Sequence, residues 1–147
     1  MKPQAKDIDR FILAQQDSYF RALAELEDGW KRTHWMWFIF PQLRGLGRSS
    51  AAQFYGLDGR AEALAFLKHP VLGERLRECT SAILRHAGSR SAEEILGSPD
   101  NLKFRSCMTL FSSVAPNEGL WRNALEAFYA GGADPLTITL LRQPVAR

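Results

Sequence analysis

Cysteine is scarce in this chain, and the little there is stands apart. Cys79 and Cys107 are the only two, neither belongs to a CxxC pair, and neither has a neighbouring ligand residue. That excludes a zinc ribbon or a disulfide framework and leaves buried, reduced thiols as the expectation. Long apolar runs are missing as well. No stretch approaches the roughly 20 residues of a membrane span, and the first residues, MKPQAKDIDR, are polar where a secretory signal has its apolar core. No membrane association is expected, and the location expected is cytoplasmic.

Catalytic signatures are equally thin. There is no HExxH, no GxSxG elbow, no Walker A lysine and no strand leading into a dinucleotide-type glycine loop. A classical metalloenzyme, serine hydrolase or nucleotide-fingerprint protein is therefore set aside, with no metal and no cofactor expected. The basic residues do not line one helix as a recognition element does, and no RNA-binding aromatic signature is visible. Repeats, linkers and low-complexity segments are absent too.

What is present is the composition of a folded domain: 147 residues, 46% hydrophobic and 24% charged, with a formal net charge of +3. A chain of that length suits one domain over residues 1–147. So small an excess of positive charge decides nothing by itself, but Lys31, Arg32, Arg44 and Arg48 all flank one aromatic run.

Helix periodicity recurs along the chain. Ile8, Phe11, Ile12, Tyr19, Leu23 and Leu26 follow a 3.6-residue repeat that Gly29 can stop, and Asp17 or Ser18 can divide it in two. HWMWFIF, residues 34–40, has the β-branched and aromatic content of a buried strand. No partner strand of like quality exists, so a buried helix ended by Pro41 is favoured. Further on, Pro70 suits the first turn of a helix with Leu72, Leu76, Cys79 and Ile83 inward. Ser91 with Glu94 forms a capping box, Ser98-Pro99 opens the helix LKFRSCMTLFSSVA, Asn117 is placed to cap the next, and Asp134-Pro135 announces the last. The expected class is all-α, an irregular multihelical domain of about seven or eight helices.

Chemistry concentrates in Trp30 to Ser50, WKRTHWMWFIFPQLRGLGRSS, which holds Trp30, Trp35 and Trp37. Gly45, Gly47, Arg48 and Ser49 form a turn into a helix, a shape that offers backbone N–H groups to an anion, although the glycines also serve simply to relieve the backbone. Arg44 and Arg48 suit phosphate or carboxylate, Trp37 offers a ring face, Gln42 a hydrogen-bonding amide and His34 an acid or base. Trp35 reads more as core. His69 reads as a turn or cap residue and His86 as an exposed one near a helix end.

A second cluster lies on the later helix. Asp100, Lys103 and Ser106 share one face there, Arg105, Thr109 and Ser112 another, and Phe104, Met108 and Phe111 face the core. The simplest structural content is an ion pair of Asp100 with Lys103, the hydroxyls satisfying a loop such as residues 43–50.

The runs HWMWFIFPQL, GLGRS, HPVLGERL and DNLKFRSCMTLF, in that order and spacing, resemble domain-of-unknown-function family 1810, from Asp9 to about Leu141. The resemblance implies a multihelical domain and brings no reaction, cofactor or catalytic residue. Thr33 stands where the family commonly has Ser, and Cys107 where a second Ser commonly follows Ser106. Some members are labelled calpastatin, but inhibitors of that name are largely disordered and this chain has the apolar content of a core.

Two functions follow as expectations. One is a site for a phosphorylated or nucleotide-like small molecule, with Trp37, Gln42, Arg44, Gly45, Gly47, Arg48, Ser49, Asp100 and Ser106 binding. If the site turns over its ligand, His34 is the acid or base and Lys103 the charge stabiliser. The other is a non-enzymatic interaction module that meets a protein or nucleic acid partner.

Overall fold

The computed structural model describes residues 7–143, and the helical expectation holds throughout them. Ten helices follow one another: α1 Asp9–Gln15, α2 Tyr19–Asp28, α3 Met36–Ile39, α4 Ser50–Tyr55, α5 Arg60–Lys68, α6 Leu72–Leu84, α7 Ala92–Leu96, α8 Asp100–Val114, α9 Leu120–Tyr129 and α10 Pro135–Arg142. The number exceeds the expectation because pieces as short as the four residues of α3 carry too few positions for a period to show. The only β feature among the described residues is an isolated parallel bridge, Leu43 with Leu57. It is made by Leu57 N–H donating to Gln42 O at 2.9 Å and Arg44 N–H donating to Leu57 O at 2.8 Å.

Most boundaries follow the chemistry read from the sequence. Gly29 closes α2 with φ +79°, a left-handed value that costs glycine little. Ser91 and Glu94 make the reciprocal capping box of α7, and Asp134 accepts from Thr137 N–H ahead of Pro135. His69 Nδ1 accepts from Val71 and Leu72 N–H at the start of α6.

Three details differ. Ser18 does not cap α2; its hydroxyl donates back to Ala14 O at 2.6 Å. Asn117 does not cap α9, whose N-cap is Gly119 without any side-chain bond. His86 is half-buried rather than exposed, with Nε2 at 2.8 Å from Leu26 O. A carbonyl can only accept, so Nε2 carries the proton and gives Leu26 O, which already accepts from Gly29 N–H at 3.1 Å, a second donor at the end of α2.

The core gathers around α8, where Phe104, Cys107, Met108, Leu110 and Phe111 are all fully buried. Aromatic rings connect the helices. Phe40 meets Phe104 at 4.8 Å, Phe11 meets Phe66 at 5.0 Å, and Phe111 links Phe66 to Trp121 at 6.0 and 5.7 Å. Tilted and edge-on geometries of this kind add to the area they bury. With α8 fixed at the centre, its polar edge decides what the neighbouring loops can touch.

Candidate functional site

Glu25 is the post around which the segment after α2 winds. Its carboxylate, 5% exposed, accepts from Arg32 N–H at 2.8 Å, Thr33 N–H at 3.1 Å, Thr33 Oγ1 at 2.7 Å and Trp35 Nε1 at 2.8 Å. Burial raises its pKa, but the hydrogen bonds from Arg32, Trp35 and Thr33 outweigh that and hold it at about 2. The ring of Trp35 is thereby fixed in the core, with 1% exposed, as its reading required. His34 lies between two pinned residues and is itself exposed to solvent.

The two clusters singled out in the sequence meet. Lys103 Nζ lies 4.0 Å from the centroid of Trp37 and 3.0 Å from Asp100 Oδ1. Lys31 Nζ takes the other carboxylate oxygen of Asp100, also at 3.0 Å, and stands 5.1 Å from the Trp35 ring. One carboxylate therefore faces two ammonium groups, so the face carries a positive excess beside a half-buried indole. Desolvation strengthens such contacts, because the side chains of Lys31 and Asp100 are only 9% and 18% exposed.

The glycine loop forms the adjoining wall. Gly45 has φ +105°, which excludes most side chains, while Gly47 is required for closeness. A Cβ there would stand 2.9 Å from the Ala52 methyl, with the Trp37 ring edge 3.9 Å away. Ser49 Oγ accepts from Ala52 N–H at 3.0 Å and caps α4. Arg48 is exposed. Gln42 is 8% exposed, and its side-chain amide makes no hydrogen bond among the described residues. The polar atoms of that amide are not sealed from water, so they remain open to a ligand.

Two of the expected residues are turned to other tasks. Arg44 donates to Gln53 O at 3.0 Å, Gly56 O at 2.8 Å and Asp58 Oδ1 at 2.6 Å, which fastens the loop to the end of α4. Ser106 Oγ lies 3.1 Å from Leu102 O and 3.0 Å from Asp134 Oδ2. The hydroxyl edge of α8 serves the turn before α10 rather than residues 43–50. Arg105 donates to Gly132 O and Ala133 O, both at 2.8 Å, and Thr109 Oγ1 accepts from Asp134 N–H at 2.8 Å. Turns built from Gly-Gly-Ala leave carbonyls that need donors, and α8 supplies them.

Glu25 and Lys31 were not foreseen in these roles. A carboxylate on the same helical face as Ala22 and Leu26 was the signal for Glu25; nothing local signals the pairing of Lys31 with Asp100. Thr33, the departure from the family pattern, keeps a hydroxyl on Glu25 as Ser would. Cys107 is wholly buried, so its thiol faces the core rather than this site.

A model of a family described as protein of unknown function, DUF1810, matches residues 5–141. A crystal structure of a conserved hypothetical protein from Mycobacterium tuberculosis is similar in sequence and fold. It shows 45% identity and a TM-score of 0.90, over 93% of this chain and 97% of that one. Among curated proteins none matches.

Proposed function

This chain belongs to the DUF1810 family of proteins of unknown function, and we propose that it binds a phosphorylated, ring-bearing small molecule at the face of Trp37 and Lys103. The observation that carries the reading is the meeting of Lys31, Asp100 and Lys103 beside the Trp37 ring. Two ammonium groups against one carboxylate leave charge for a phosphate, and the indole offers a stacking surface for a planar group. The unpartnered Gln42 amide and the exposed Arg48 supply further donors. Should the ligand be turned over, His34 is the exposed acid or base and Lys103 stabilises the developing charge.

The test is a thermal-shift series with ATP, ADP-ribose and sugar phosphates, since a ligand of the folded state alone raises the melting temperature. A shift with the parent that is lost in Trp37→Leu and in Lys103→Met supports the site. Arg44 is a poor probe, because removing it frees the loop it fastens. Equal shifts in parent and variants would place the ligand elsewhere.

A second reading has its own observation. Trp30 is 58% exposed, and the Arg32 guanidinium stands 5.2 Å from its ring. Such a basic aromatic surface suits a nucleic acid or protein partner. Nucleic acid affinity would fall steeply with salt, and a protein contact would not.

A further inference from the structure

We infer that the cleft between the end of α8, α9 and α10 is a separate anion site, built for a phosphate monoester with an apolar body. The cavity measures about 430 Å³, within the range of small-ligand sites. It shares no residue with the Trp37 face.

Helical spacing explains how the cleft arises. Arg122 and Leu125 are three apart on α9, and Ile138, Leu141 and Arg142 fall at i, i+3 and i+4 on α10, so each helix turns one cationic and apolar face to the same space. Arg60 enters from the first turn of α5. Three arginines thus line the cleft and, among the described residues, no acidic one does.

These arginines are not consumed by the fold. Arg60 Nη1 donates to Ser113 O at 3.2 Å, which leaves the rest of its fork free. Arg122 and Arg142 make no hydrogen bond or ion pair with any described residue. Like charges gathered without a counter-charge repel one another, and an anion placed among them removes that cost.

The lining also selects the ligand. Three forks exceed what the two oxygens of a carboxylate can accept but match the three peripheral oxygens of a phosphate monoester. Leu125, Ile138 and Leu141 give the remainder of the ligand an apolar wall. Ser112 and Ser113 donate their hydroxyl protons to Thr109 O, at 3.1 and 2.8 Å. They therefore present lone pairs, which suit a ligand hydroxyl rather than its phosphate.

Calorimetric titration of the protein with butyl phosphate, which has an apolar body but no planar ring for Trp37 to stack on, tests this. One saturable site is expected, weakened by roughly ten-fold or more in the Arg122→Gln/Arg142→Gln double variant, the loss of charge-assisted bonds being worth at least ~1.4 kcal/mol. Pentanoate should bind the parent roughly ten-fold more weakly than butyl phosphate, as it offers one oxygen fewer. The Trp37→Leu/Lys103→Met variant should bind butyl phosphate as the parent does, so this site and the proposed Trp37 site fail or succeed separately. Should the double variant melt early, Arg142→Gln alone, at the end of the last helix, gives the same readout. Absence of saturable binding, equal affinity in the arginine variants, loss in the Trp37/Lys103 variant, or pentanoate matching butyl phosphate each overturns the inference.

Discussion

The ammonium of Lys103 sits 4.0 Å from the centre of the Trp37 ring while remaining 3.0 Å from Asp100 Oδ1. Through this contact the segment after α2 reaches the central helix. A double-mutant cycle with Trp37→Leu and Lys103→Met should return a coupling of about 0.5–1 kcal/mol at this partly exposed site. Urea denaturation of the four proteins measures it, and a coupling indistinguishable from zero would mean that the two side chains do not hold each other.

Glu25 makes stability depend on acid. Its carboxyl is held at about 2 against an ordinary value of 4.5, so its contribution is fully present above pH 4.5 and is lost as the pH falls toward 2. Glu25→Gln, which keeps the shape but not the charge, should cost about 2–3 kcal/mol at pH 7 and flatten the profile between pH 4.5 and 2. Denaturation midpoints across that window check the sign. An unchanged profile in the variant would remove Glu25 from its place as the anchor of residues 32–35.

Arg10 is the most buried charged side chain among the described residues, with nothing of it exposed. It donates to Glu62 at 2.9 Å and to the carbonyls of Asp7, Phe54 and Gly56 at 2.6, 2.7 and 3.0 Å. Arg10→Met should lose about 3–5 kcal/mol, since it leaves Glu62 without its counter-charge and takes a donor from each of three carbonyls. The exposed pair of Arg32 with Asp28 offers the contrast. Arg32→Met should leave the midpoint where it is.

Both thiols should be inert while the protein is folded. Burial pushes Cys79 up to about 12, and burial also holds Cys107 well above its usual range. Thiolate is the reactive form. A thiol reagent at pH 8 should therefore modify neither until denaturant is added, and rapid labelling of the native protein would contradict the packing around α6 and α8.

Local signals were legible wherever one residue type has one physical use. Gly29, the Ser91 capping box, Asp134-Pro135 and the inward stripe of α8 all follow from spacing and capping alone. The helical choice for residues 34–40 followed from the lack of any strand partner, though the helix itself takes only Met36–Ile39 and leaves His34 exposed before it. Long-range partners were not legible. Nothing in the sequence tells that Arg44 closes on Asp58, that Ser106 and Thr109 serve the turn at 131–134, or that His86 reaches back to Leu26. Those pairings join positions whose spacing carries no period, and they exist only once α8 is buried among its neighbours. The meeting of Trp37 with Lys103 belongs to the same class: each residue was singled out, but their contact is a product of packing.

The most direct test is an NMR titration that follows the indole N–H signals of the four tryptophans while ADP-ribose or ATP is added. Trp35 and Trp121 are buried at 1% and 0% exposure and serve as internal references. The Trp37 signal should move saturably while those two hold still, and Lys103→Met should abolish the movement. A Trp37 signal that stays fixed through millimolar additions of both ligands would contradict binding at this face.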